Sequence, residues 1–260
     1  MDVFWTLPPV TRTITALAVI ISALGYSGMI SLSDYVFVSQ YVFTYKTVPQ
    51  VWRLLTSFLI TKPKFGILMD PYFIYQYGSG LERESTRFSQ PGDFFVYTFC
   101  LCMTIIATAG VLLRGYTFLQ PLSLAFAYTY AQDNPTRQVS FFIVTFDAKY
   151  LPFAMLFLSF ILDGPDAALT QAMGLIAAHL YDFLTRIWPT FGGGTNPIFT
   201  PVIVKRWFGG HAGSVQSRAF GSVQQGRPRE NPAVARSSGR STGVGGQWDG
   251  RGPGQRLGEQ

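Results

Sequence analysis

Three runs without a charged residue set the limits on how this chain can fold. Residues 13–33, between Arg12 and Asp34, are 21 uncharged residues; 94–113, between Asp93 and Arg114, are 20; 115–132, between Arg114 and Asp133, are 18. About 20 apolar residues in a helix rising 1.5 Å per residue cross the roughly 30 Å hydrocarbon core of a bilayer. Each run is therefore long enough, or nearly so, to span one. Composition agrees: 48% of residues are apolar and only 13% charged, where a soluble domain carries about 25% charged residues. These values predict a polytopic membrane protein rather than an unusually apolar soluble domain.

Three further stretches fill out the pattern. Residues 51–81 are apolar but broken by Lys62, Pro63, Lys64 and Asp70-Pro71. A helix there must be kinked, partly immersed or shielded by neighbours. Residues 139–161 read as a fifth span, with Asp147 and Lys149 inside it, and 171–188 as a sixth after the turn Asp163-Gly164-Pro165-Asp166. The expectation is an all-α membrane protein, a bundle of six transmembrane helices with both termini on one side. Residues 35–50 form an aromatic loop suited to a membrane interface, and Glu82, Arg83, Glu84 and Arg87 mark an aqueous loop. On the side of the termini lie Arg12, Arg83, Arg87, Arg137, Arg186, Lys205 and Arg206; Lys46, Arg53 and Arg114 lie opposite, with Lys62 and Lys64 near them. Positive charge on the inner side predicts cytosolic termini. Arg12 precedes an apolar run with no small-residue cleavage site after it, so that run is expected to stay as an anchor. Cys100 and Cys102, two apart, cannot face each other on a helix and read as small apolar residues.

The domain boundary falls near residue 208. Residues 209–260 hold 13 Gly, seven Arg and three acidic residues, too little apolar surface to fold, and are expected to be a disordered cytosolic tail. Trp248 and Leu257 stand out among its glycines. They read either as anchors of a peptide ligand or as accidents of composition. The basic tail favours a cytosolic location over nucleic acid.

The chemistry turns on His179, the one histidine among the apolar stretches. An ionisable group at membrane depth is a functional candidate by default. As a general base it would need a hydroxyl partner and oxyanion donors. Ser123 and Thr129 lie on the fourth span, but no Gly-x-Ser-Gly turn accompanies them. Two readings stay open: an intramembrane serine protease using Ser123 and His179, or a histidine hydrogen-bonded between helices. No second His or suitably placed Cys accompanies it, so no metal is expected. Gly174 and Ala178, four apart, share a helix face and permit close helix contact in lipid. Asp182 follows on the same helix. Trp52-Arg53 reads as an interfacial anchor beside an arginine that snorkels and holds the preceding loop, or as an ordinary aromatic belt. Asp133, Asn134 and Pro135 read as a polar helix end and turn. A small-solute channel or transporter is the remaining alternative, and the internal repeat that many secondary transporters carry is not evident.

As an ordered set these residues resemble the Derlin family, proteolytically inactive relatives of rhomboid proteases. The set is Trp52-Arg53, Asn134-Pro135, Phe141-Phe142, Tyr150-Leu151-Pro152, and Gly174 through Ala178-His179-Leu180-Tyr181 to Phe183-Leu184. The resemblance covers about residues 1–208. In the family's Gly-x-x-x-Gly-His pattern Ala178 replaces the second glycine. The tail end is similar to a short box by which some Derlins bind the hexameric AAA segregase of the valosin-containing-protein type, through Trp248, Gly250, Gly254, Gln255, Arg256, Leu257 and Gly258. The resemblance implies a rhomboid-like bundle in the endoplasmic reticulum membrane, without catalytic residues, cofactor or metal. It further implies a role in retrotranslocating misfolded proteins, with a ubiquitin-ligase complex, membrane lipids and further copies of itself as partners. It assigns Trp52 and Arg53 to the lumenal loop, and Gly174, Ala178, His179 and Asp182 to helix packing and a lateral gate.

Overall fold

Pro9 sets where the first uncharged run becomes helix. A proline in the first helical turn forfeits no hydrogen bond, and α1 runs Pro9–Tyr26. A computed structural model describes residues 6–43, 49–63, 65–90, 92–141, 144–192, 198 and 200–209. These residues lie in one contact unit, 1–216; a second unit, 217–260, falls wholly outside them. The free N–H groups at the start of α1 are capped from another helix: Val10 N and Thr11 N donate to the Glu82 carboxylate at 3.0 and 2.9 Å, and Thr11 Oγ1 at 2.8 Å. A carboxylate suits both the unpaired donors and the positive end of the helix dipole. Glu82 lies near the end of α2 (Gly66–Glu84), which carries Pro71 in its interior. The two helices therefore run antiparallel.

The alternation continues. α3 runs Asp93–Ile105 and extends as a π-helical segment, Ile106–Leu112. α4 is Leu119–Asp133 and α5 is Leu151–Asp163. α6 runs Pro165–Asp182, then a π-helical segment Phe183–Ile187 and a last turn Trp188–Phe191. Gly164, at φ 91°, makes the tight reversal between α5 and α6, a conformation that favours glycine. A shorter α7, Val202–Gly209, follows; Thr200 Oγ1 donates to Asp93, and Phe208 packs on Phe95.

α4 is the axis of the bundle. It is uncharged until Asp133 and apolar or small on every face, as expected of a helix surrounded by others. Leu122, Leu124, Ala125, Phe126 and Ala127 are fully buried. It packs on α2, α5 and α6. The outer faces are apolar as well: Leu17, Val19 and Ile20 of α1 and Phe153, Phe157 and Phe160 of α5 are exposed. An apolar exterior of this kind marks a surface for lipid or for another protein.

Two expectations need correction. Among the described residues two helices are long and apolar enough on their own to be candidate membrane spans, Pro9–Tyr26 and Asp93–Leu112, where six were expected. The other long helices are shorter, or carry charges: Asp70, Glu82, Arg83 and Glu84 on α2, Asp166 and Asp182 on α6. The proposed fifth span, 139–161, is not one helix. Its first part is an antiparallel hairpin, β1 (Gln138–Phe141) on β2 (Val144–Asp147), with Gln138 opposite Asp147 and Phe141 opposite Val144. Only Leu151–Asp163 is helical, opened by Pro152 in its first turn. The β-branched Val139, Val144 and Thr145 favour the pleated form. Asp147 and Lys149 lie between hairpin and helix and pair at 3.3 Å.

Candidate functional site

The residues that carry the candidate chemistry sit at opposite ends of the bundle and on the seam between α4 and α6. One end may be called the Arg87 end. Arg87, in the turn after α2, places Nε 2.5 Å from Asp133 Oδ1 and donates through Nη1 to Asp182 Oδ1 at 2.8 Å. Ser85 Oγ donates to Asp133 Oδ2 at 2.6 Å, and Arg186 reaches Asp182 Oδ2 at 3.4 Å. One guanidinium thus ties the end of α2 to the ends of α4 and α6. Asn134 caps α4 through its backbone N–H, which donates to Tyr130 O at 3.0 Å. Pro135 O accepts Lys149 N at 3.4 Å and Arg137 O accepts Ala148 N at 2.8 Å. The Asn134-Pro135 turn thereby sends the hairpin back over the bundle, where Phe141 stacks on Phe73 of α2 with rings 5.4 Å apart and 5° from parallel. Glu84 accepts from Arg137 at 2.6 Å, and that bond raises the arginine's pKa.

At the opposite, Lys62 end, Arg53 is buried. Its Nη1 donates to Ser33 O at 2.6 Å and Val36 O at 2.8 Å, its Nε to Gln50 Oε1, and its guanidinium lies over the Tyr41 ring. Trp52 is half exposed, with Nε1 3.4 Å from Asp34 O, and Thr56 Oγ1 donates to Tyr35 O at 2.8 Å. The short helix Arg53–Thr56, with Trp52 just before it, thus holds the whole of residues 33–36 through side-chain donors. Phe118 N to Ser57 O (2.9 Å) and Phe37 N to Tyr116 O (2.8 Å) tie this loop to the α3–α4 connection.

Between the ends, α6 lies hard against α4. A Cβ added at Gly174 would fall 1.9 Å from Pro121 O, so only glycine allows that approach. Ala178, one turn on, is also buried. His179 is different: it lies on the exposed outer face, not enclosed by the other stretches, with Nδ1 3.2 Å from the Tyr128 hydroxyl. Tyr128 in turn accepts from Gln132 Nε2 at 2.7 Å. Ser123 Oγ donates to Gln120 O at 2.8 Å. Five residues of helix, about 7.5 Å of rise, separate Ser123 from the histidine's partner Tyr128. No serine or cysteine hydrogen-bonds His179 among the described residues, and the two-residue protease arrangement is not formed.

A cavity of about 210 Å³ opens at the Lys62 end between α2, α4, α5 and the start of α6. Asp70, Ser159 and Gln171 give it polar walls; Met69, Phe73 and Met155 give it apolar ones. α2 and α5 pack sparsely at most on each other there. Sequence reasoning took Asp70 only as a helix breaker and passed over Ser159 and Gln171; the one available signal was a lone acid within an apolar stretch. The tail residues Trp248, Gly250, Gly254, Gln255, Arg256, Leu257 and Gly258, and also Phe142, lie outside the described residues.

Comparison with known proteins decides the family. Residues 7–202 match the Der1-like family. The chain is 31% identical to Derlin-1 of Homo sapiens over 266 residues, covering all of this chain and 98% of that protein. It is 30% identical over 224 residues to DER1-like family member protein 1 of Saccharomyces cerevisiae, covering 76% and 64%, and 32% identical over 173 residues to Derlin-2.1 of Zea mays, covering 61% and 67%. This chain belongs to the Der1-like, or Derlin, family. In this Derlin relative the histidine is bonded to a phenol and the candidate serine to a backbone carbonyl.

Proposed function

We propose that this Derlin relative is a non-enzymatic factor of endoplasmic-reticulum-associated degradation that helps carry misfolded proteins through or out of the membrane toward the cytosol. In this reading the six long helices cross the endoplasmic reticulum membrane, with the Arg87 end and both termini in the cytosol. The observation that carries it is helix length. α5, whose Phe153, Phe157 and Phe160 are exposed, has 13 residues, about 20 Å of helix, against roughly 30 Å of hydrocarbon. An outer wall that short draws the bilayer thin beside it. Thinner lipid lowers the cost of moving polar client segments across it.

The named residues then have separate roles. Trp52 and Arg53 brace the lumenal loop. Gly174 and Ala178 keep α6 against α4, with Asp182 locked at its cytosolic end and His179 facing outward at the lateral gate. Asn134 and Pro135 turn the chain into the hairpin that leans on α2. The tail, through Trp248 and Gly254 to Gly258, recruits a valosin-containing-protein-type AAA segregase that supplies the pulling force. A ubiquitin-ligase complex and further copies of the chain complete the assembly.

In cells depleted of the endogenous protein, the half-life of a misfolded membrane client should lengthen severalfold with Arg53→Ala, while the segregase still co-purifies. Arg256→Ala and Leu257→Ala should do the reverse: segregase capture falls while the bundle stays folded. Normal client turnover in both classes of variant would reject the proposal.

A further inference from the structure

The polar walls of the cavity at the Lys62 end have acceptors to spare and few donors. Asp70, Ser159 and Gln171 are 5%, 6% and 4% exposed. Ser159 Oγ and Gln171 Oε1 have no hydrogen-bond partner, and Asp70 Oδ2 accepts the Lys62 backbone N–H at 3.2 Å. The nearby side-chain donors are already engaged. Lys62 Nζ and Gln120 Nε2 both point to Asp163 Oδ2, at 3.2 and 3.3 Å, and Gln120 serves Asp70 as well. What remains is a carboxylate, an amide oxygen and a hydroxyl that can accept, gathered in a space sheltered from water. Unpaired buried acceptors are costly, and the group that suits acceptors of this kind carries several N–H donors and a positive charge.

The mouth of the cavity narrows the choice. α2 and α5 pack sparsely at most on each other, and the lining residues Phe65 and Leu162 are 62% and 54% exposed. The rim is thus apolar, while Lys62 stands beside it with its side chain a quarter exposed. A volume of about 210 Å³ is several times the roughly 30 Å³ of one water, room for an aminoethyl group. We propose that this cavity binds the headgroup of an ethanolamine phospholipid. Its primary ammonium donates to Asp70, Ser159 and Gln171, and its acyl chains leave past Phe65 and Leu162. A choline headgroup, with no N–H, forfeits all three bonds and is rejected. The proposal rests on the reading above that α2 and α5 cross a bilayer.

The test uses the purified full-length protein, equilibrated in detergent with equimolar phosphatidylethanolamine and phosphatidylcholine of identical chains, with bound lipid counted by native mass spectrometry. Wild type should retain the ethanolamine lipid over the choline lipid by about tenfold, the scale of one charge-assisted hydrogen bond. Asp70→Asn should bring the two near parity, and the double variant Ser159→Ala/Gln171→Leu should lower the ratio severalfold, serving alone if Asp70→Asn does not fold. Soluble phosphoethanolamine should compete for the site. Equal retention by wild type, or a preference unchanged in the variants, overturns the proposal. So does displacement of the lipid by a lysine-bearing peptide but not by phosphoethanolamine, which would assign the site to polypeptide. Labelling from either side of a sealed membrane reports separately on whether the helices cross. Loss of headgroup preference in a correctly crossing protein rejects the lipid site alone.

Discussion

The two ends of the bundle handle buried polar groups in opposite ways. At the Arg87 end every group described above is paired: one guanidinium serves Asp133 and Asp182, and Ser85 and Arg186 take the remaining carboxylate oxygens. At the Lys62 end the cavity leaves Ser159 Oγ and Gln171 Oε1 without partners. A satisfied network fixes one arrangement of helix ends. An unsatisfied one awaits a ligand, or a moving segment that can bond to it. The molecule is therefore tied at one end, and between α2 and α5 it is open at the other. A bundle with lateral access needs that asymmetry, because a gate can move only if the helices beside it are held elsewhere.

Mutation can break or sharpen this contrast. The largest effect is expected from Arg87→Ala, which takes the shared guanidinium from the buried Asp182 and the part-buried Asp133; removing one member of a buried ion pair costs about 3–5 kcal/mol. Thermal unfolding of the purified protein in detergent should fall sharply, and an unchanged midpoint would show that the Arg87 end is not a tie. Gly174→Ala follows. Its Cβ meets backbone rather than a flexible side chain, so the cost lies near the top of the overpacking range, about 3 kcal/mol, read in the same assay. Arg53→Ala removes two donors to loop carbonyls and should cost about 1.5–3 kcal/mol. Limited proteolysis should then cut first within residues 33–36. The smallest effect is expected from Ser159→Ala in detergent without ethanolamine lipid. Its hydroxyl has no partner to lose, so stability should change by less than about 0.5 kcal/mol. A large loss there would mean that the cavity is as tightly bonded as the opposite end.

How much of this was readable beforehand depended on whether the signal was local. α1 and α3 were legible because long uncharged runs have one economical structure. The reversal at Gly164-Pro165 was legible for the same reason, since a glycine at positive φ and a helix-opening proline are next to each other. The hairpin was not. Gln138 to Asp147 is short and aromatic, and such a run fits a helix as well as a strand until the turn at Asn134-Pro135 directs it against Phe73. The Arg87 network was out of reach because its members, Arg87, Asp133 and Asp182, come from three separate helix ends. Arg53 and Gly174 could be singled out from sequence; the carbonyls they meet could not. His179 drew attention as a lone ionisable residue, yet periodicity alone does not say whether a helix face turns to the core or outward, and it turns outward.

The central claim is that these helices cross a membrane in alternating directions, with the Arg87 end toward the cytosol. It is tested most directly by single cysteines placed in a background lacking Cys100 and Cys102, both free thiols. Gln90, at the Arg87 end, and Met29, just after α1, are both exposed. In sealed endoplasmic reticulum vesicles with the cytosolic face outward, a membrane-impermeant maleimide should label Gln90→Cys at once and Met29→Cys only after permeabilisation. Labelling of both in intact vesicles, or of Met29→Cys alone, would contradict the account.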